Sequence, residues 1–416
     1  MYRRTFLDKS YHFVSLLFVF IFFFVIEWRW EVMLLGFPDV KPYVAAAVMS
    51  IAVNVLGIMQ SGNKSCKPSV LYWLIFFLLC YFIAVSALNI NDLLTTTDYK
   101  MTEFGIWCIN LALFITASGT YVWDYVHHNK RVMIVLYALF VLPLFFLLFY
   151  SGVAAQSNFN LRIAIWLSGL AGNSDYGVSY QSIGDKLAIL TFVVLSLNIR
   201  SWHKIIVVVI TVATLYIVGS KASLVGCLFA FTAYYILSLF ARKHYIKCIV
   251  ILLTSFCLLC GGLLYVVGNP SLQNSNNWLI RTVAQGQEDI SVSGRHIIEE
   301  ANQKTRDSRL VLGDYKFDYK FGRPGSYTHS AVGLIDYYGL PIFVISVSLW
   351  LYLLCNLIWL FTIGNKSPII VASLMSILFY TLLFTIARLP SQNYLTYWVL
   401  GMVVYATYAP QHKKVH

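Results

Sequence analysis

Apolar runs long enough to cross a bilayer recur from one end of the chain to the other, near residues 11–28, 42–59, 70–90, 103–123, 132–150, 182–199, 205–219, 222–240, 248–268, 341–362, 368–387 and 391–408. Each is close to the roughly twenty apolar residues that a helix needs to span the hydrocarbon core, and a helix satisfies its own backbone hydrogen bonds there. A membrane β-barrel would instead show segments of about ten residues with alternating polarity. The pattern predicts an all-α polytopic membrane protein with about twelve transmembrane helices. The run at 11–28 lacks the small-residue cleavage pattern of a signal peptide and reads as the first span.

Most connections between runs are short, but residues 151–181 and about 269–340 form long ones, and long loops on a rigid scaffold tend to carry function. The chain therefore divides into residues 1–268 with nine spans, a large loop at 269–340, and residues 341–416 with three spans and a tail. Within the large loop, Ile297, Ile298 and Ala301 among polar neighbours predict an amphipathic helix over about 294–308. Gly313, Gly322, Pro324 and Gly325 mark turns. A short helix is expected next, capped by Thr328 or Ser326 and stopped by Gly339 and Pro341 ahead of the tenth span.

Composition and charge narrow the class. The 416 residues are 59% hydrophobic and 12% charged, with a formal net charge of +12. The mean hydropathy is +0.71. These values exclude a soluble domain, a disordered chain and a secreted disulfide scaffold. An even number of spans puts both termini on one side, and the tips on that side hold fifteen of the thirty basic residues against only Asp8 and Asp124. By the positive-inside rule that side is cytoplasmic, and a bacterial inner membrane fits best. The charge balance is accounted for by topology, so no nucleic-acid partner is implied. Seven of the cysteines fall in predicted spans and Cys66 in a cytoplasmic loop, leaving none for an external disulfide. Cys257 and Cys260 have CxxC spacing inside an apolar helix and read as packing residues.

Candidate chemistry lies on the external side. Of nine histidines only His296 and His329 face outward. His329 stands at a membrane-adjacent helix start, where a general base can meet a lipid-linked substrate; the alternative is a surface histidine among headgroups. Asp336 lies two helical turns further on the same face, too far for easy direct contact with the imidazole. Lys221 and Arg388 stand at external helix junctions with almost no loop, where they either snorkel or line a polar cavity. With Arg295 and Arg162 they could form a cationic site for an anion such as a pyrophosphate. The spans themselves read as nearly free of charge, which argues against a secondary transporter or flippase. No Walker loop, HExxH motif or acidic metal cluster is present, so no cofactor is expected.

The tripeptide Ser220-Lys221-Ala222 at an external junction, Ser293-Gly294-Arg295 before a helix, and His329-Ser330 ahead of Tyr338-Gly339-Leu340 together resemble the bacterial O-antigen polymerase and O-antigen ligase superfamily. The resemblance covers the architecture of the whole chain and, with specificity, residues 219–223 and 293–341. It implies a type C glycosyltransferase-like fold with a large periplasmic loop, acting on undecaprenyl-diphosphate-linked oligosaccharide at the periplasmic face. It implies that Arg295 and Lys221 bind the diphosphate and that His329 stands next to the reacting groups. Membrane lipids are the other implied partner, with a chain-length regulator protein as a candidate.

Two departures stand out. Lysine replaces the family's usual arginine at position 221, keeping the charge and losing the bidentate fork. Only eight residues separate His329-Ser330 from Gly339, and the ligase pattern has nine. This favours a polymerase that joins lipid-linked repeat units, with a ligase that transfers glycan to lipid A core as the alternative.

Overall fold

In the computed structural model the described residues are 17, 52, 70–89, 107–108, 110–119, 123, 126, 129–151, 180–269, 297, 300, 302–304, 306–315, 328, 330–364 and 366–412. All regular structure among them is helical. The long helices are α1 (Val70–Leu88), α2 (Lys130–Ser151), α3 (Tyr180–Ser196), α4 (Ser201–Val218), α5 (Lys221–Ala241), α6 (Tyr245–Val267), α7 (Gly333–Thr362), α8 (Pro368–Ile386) and α9 (Tyr394–His412). Each coincides with one of the predicted apolar runs. Six helices among the described residues are long and apolar enough to cross a membrane. Residues 110–117 of the run at 103–123 are helical. The runs at 11–28 and 42–59, and the connection 151–181 almost throughout, lie outside the described residues.

Helix α8 is the hub. Its apolar window is 78% buried within the protein, against 28% for α5 and 11% for α7. It packs against α3, α5, α7 and α9. A helix apolar all round is stable only with neighbours on every side, and α8 has them. Close approach is built in at small residues: a Cβ on Gly226 of α5 would stand 2.9 Å from the Phe379 ring of α8. α1, α4, α5 and α6 instead expose many large apolar side chains, including Phe77, Val209, Leu228 and Leu253, as lipid-facing helices do.

Charge is segregated between the two ends of the bundle. The described tips that join α3 to α4, α5 to α6 and α7 to α8 carry Arg200, Lys204, Arg242, Lys243, Lys247 and Lys366, with Lys130 and Arg131 starting α2. Among the described residues of those tips there is no Asp or Glu. The opposite end carries charges of both signs: Asp185, Lys221, Arg306, Arg309, Asp336 and Arg388.

Two expectations need correction. α7 begins at Gly333 with Val332 as its N-cap and without a side-chain cap. Thr328 does not cap it, because its hydroxyl is drawn to the Asp336 carboxylate one turn inside the helix. Nor are the spans nearly free of charge: Asp185 and Lys186 lie inside α3 and are fully buried. The expected stop is where the sequence placed it. Gly339 breaks α7 with φ 84 and ψ 168, and Pro341 follows in the first turn of the resumed helix.

Candidate functional site

The mixed-charge end holds two buried polar clusters. The first is centred on Asp336, in the first turn of α7 and fully buried. Its Oδ1 accepts from Arg306 Nε at 3.0 Å and Arg309 Nη2 at 3.3 Å. Its Oδ2 accepts from Arg306 Nη2 at 3.2 Å and Thr328 Oγ1 at 3.1 Å. The Thr328 hydroxyl in turn accepts from Asn302 Nδ2 and Arg306 Nη2, both at 3.4 Å. Arg309 Nη2 also donates to the Asn302 carbonyl at 3.3 Å. Two guanidinium groups thus share one buried carboxylate at the start of α7.

Backbone contacts seat the 302–315 segment on that helix start. Asp314 N donates to the Asp336 carbonyl at 2.8 Å, and Leu340 N donates to the Leu310 carbonyl at 2.7 Å. Gly313 and Gly339, both with positive φ, allow the two strands of backbone to meet, since a Cβ on Gly339 would collide with the Val311 carbonyl and one on Gly313 with the Tyr338 amide. Tyr315 lies against Tyr337 and Tyr338, and its hydroxyl accepts from Trp107 Nε1 at 3.2 Å. The loop segment is thus anchored to the bundle by charge, backbone and aromatic packing together.

The second cluster is centred on Asp185 of α3. Arg388, after the C-terminus of α8, grips it with Nε to Oδ2 at 2.9 Å and Nη2 to Oδ1 at 3.2 Å. Ser223 Oγ donates to Oδ1 at 2.6 Å, and Asn393 Nδ2 donates to Oδ2 at 3.2 Å. The Ser220 and Ser223 hydroxyls are 2.6 Å apart. Gly184 makes room for this junction: a Cβ there would stand 2.6 Å from Ser220 Oγ. One buried carboxylate therefore ties together α3, the start of α5, the end of α8 and the start of α9. A fork with two parallel charge-assisted bonds is the strong form of this interaction.

The clusters are neighbours. Ala331 N donates to the Phe384 carbonyl at 2.7 Å, and a Cβ on Gly333 would stand 3.0 Å from Leu389, next to Arg388. Beside this seam, α1, α7, α8 and α9 leave a cleft of about 180 Å³ lined by Ala331, Leu334, Trp350, Phe384, Ser391 and Tyr397, among others.

The sequence-predicted residues fall as follows. Lys221 is the first residue of α5, half-buried, directly after Ser220 of the second cluster. Arg388 is 7% exposed and committed to Asp185, with its Nη1 on the Ala387 carbonyl at 3.1 Å. It is a brace between helices and does not present a guanidinium to an open cavity. His329, Arg295, Arg162 and His296 lie outside the described residues, although Thr328 on one side of His329 and Ser330 on the other are described. Sequence reasoning missed Asp185, Arg306, Arg309 and Asn393. Asp185 had a signal, an acid inside an apolar run. The two arginines were counted only as part of the loop's mixed charge.

Among the described residues no group of three or more His, Cys, Asp and Glu side chains converges to hold a metal. No protein-family model matches this sequence, and no curated protein matches it.

Proposed function

We propose that this chain is a glycosyltransferase of the bacterial inner membrane that polymerises lipid-linked O-antigen repeat units at the periplasmic face. In this reading about twelve spans adopt the type C arrangement, both termini are cytoplasmic, and the mixed-charge end of the bundle faces the periplasm. The observation that carries the reading is the Asp336 cluster. It clamps Thr328, the residue before His329, to the start of α7, where two guanidinium groups share the Asp336 carboxylate near an apolar cleft. Arginines and an apolar cleft close in the chain to a histidine suit a substrate with a diphosphate head and a hydrocarbon tail.

The step balances without a cofactor. The bond between sugar C1 and the diphosphate oxygen of the donor breaks, and the electron pair leaves with the diphosphate. The acceptor hydroxyl of a second undecaprenyl-diphosphate-linked repeat unit forms the new bond to C1 and gives its proton to the His329 imidazole. Arg295 and Lys221 stabilise the charge that develops on the leaving diphosphate. Arg388 contributes indirectly, by fixing through Asp185 and Ser223 the first turn of α5 where Lys221 stands.

A transporter of lipid-linked glycans has one specific observation in its favour, the buried Asp185–Arg388 pair among the spans. That pair lies at one end of the bundle and is saturated by four donors, as a fixed brace is, whereas transporter sites cluster near the midplane. Purified protein in liposomes with a lipid-linked repeat unit distinguishes the readings. A ladder of longer glycans on the same lipid supports the polymerase, transfer only onto added lipid A core means ligase, and relocation across the bilayer with no change in glycan size means transporter.

A further inference from the structure

The opposite end of the bundle carries a second cleft, of about 560 Å³, between α2, α3 and α4. Its volume is within the roughly 300–1,000 Å³ of small-ligand sites. Its depth is set by a hydroxyl tie. Tyr137 Oη is 2.8 Å from Thr211 Oγ1, Thr211 Oγ1 is 2.9 Å from Thr191 Oγ1, and Tyr137 donates to the Val207 carbonyl at 3.1 Å. The walls around that tie are apolar: Ile134, Ala138, Val141, Val194, Ile206 and Ile210. The deep end thus offers hydrocarbon and no unused polar group from Tyr137.

The mouth is the reverse. Asn198, Arg200 and His203 line it. Lys204 follows in the same turn, and Arg131 stands one turn before Ile134 on α2. No acid occurs among the described residues of these two tips. His203 has a buried Nδ1 with no hydrogen-bond partner. Trp202, 53% exposed and stacked on the His203 ring at 3.6 Å between centroids, is the kind of residue that marks headgroup depth.

An apolar slot about 16 Å long, counted along α4 from Arg200 to Thr211, with a cationic mouth at headgroup level matches one class of ligand. We infer that this cleft is a binding site for an anionic membrane phospholipid. One acyl chain lies between α2, α3 and α4, and the phosphate meets Arg200, Lys204 and His203. By the positive-inside expectation the lipid comes from the cytoplasmic leaflet. The site is separate from the proposed catalytic end and does not depend on the polymerase reading.

The test is native mass spectrometry of the purified full chain after exchange into equal amounts of phosphatidylglycerol and phosphatidylcholine of matched chains. The wild type is expected to retain phosphatidylglycerol preferentially as a discrete one-lipid adduct. Arg200→Gln and Lys204→Gln should each reduce retention roughly fivefold, the equivalent of about 1 kcal/mol per cation near a membrane surface. Ala138→Phe, which fills the cleft and leaves every charge in place, should also abolish the preference, and Lys366→Gln at another basic tip should not. Equal retention of the two lipids by the wild type overturns the site without recourse to any variant. So does a preference lost equally in Lys366→Gln, or one that survives both Arg200→Gln and Ala138→Phe.

Discussion

Thr328 and Asp336 are hydrogen-bonded, Oγ1 to Oδ2 at 3.1 Å, and both are buried. The contact turns an expected helix cap into a clamp. A threonine hydroxyl on a helix-start amide stabilises only the helix, whereas on a carboxylate shared with Arg306 and Arg309 it ties residue 328 to the 306–309 segment as well.

The clamp gives a stability prediction. Asp336→Asn leaves Arg306 and Arg309 facing a neutral amide in a buried site, and breaking a buried ion pair by removing one partner costs about 3–5 kcal/mol. Thermal unfolding in detergent should show a marked drop. Asp336→Asn combined with Arg309→Met should recover part of it, because the second change removes one of the two cations that share that carboxylate. An unchanged unfolding temperature in Asp336→Asn would mean that the cluster contributes nothing to the fold.

Gly339 provides a backbone counterpart. With φ 84 and the Val311 carbonyl in the place of a side chain, Gly339→Ala should destabilise by at least about 1–2 kcal/mol and lift the 310–313 segment off α7. Limited proteolysis near Arg309 should become faster in the variant. Gly364, which also has positive φ but open space around it, is the control: Gly364→Ala should leave that cleavage unchanged.

How much of this was readable beforehand follows from how local each feature is. The spans are local, since about twenty apolar residues in a row declare a helix wherever they pack, and the break at Gly339 and Pro341 is encoded in two residues that cannot continue one. The two clusters are not local. Asp185 meets Arg388 across 203 positions of sequence, and Arg306 meets Asp336 across 30. Asp185, an acid in an apolar run, was overlooked despite that signal, and its partner depends on how α3 and α8 pack. Arg388 was read as a cation that snorkels or lines a polar cavity. Its contact with the Asp185 carboxylate depends on helix packing, and the sequence order of the helices does not reveal that.

Orientation is open to direct measurement. On a cysteine-free background, Lys366→Cys should be shielded from impermeant thiol reagents in intact cells and Gln303→Cys should be labelled. Both positions are exposed on the protein, so accessibility reports the side of the membrane. Labelling of position 366 from outside would invert the topology and move the proposed active site to the cytoplasm.

The proposed diphosphate site makes its own prediction. Arg295→Ala should abolish polymer formation and Arg295→Lys should retain part of it, because the charge survives and the fork does not. Lys221→Arg, which keeps the charge and adds a bidentate fork, should be active. Full polymer in Arg295→Ala at normal protein level would remove that arginine from the mechanism.

The most direct measurement is polymer laddering by purified protein in liposomes with a lipid-linked repeat unit, comparing wild type, His329→Ala and His296→Ala. The account predicts a ladder for the wild type and for His296→Ala, and turnover lower by roughly a hundredfold or more for His329→Ala, in line with loss of general acid–base catalysis. A normal ladder from folded His329→Ala, or no ladder from the wild type with transport or lipid A transfer in its place, would contradict it.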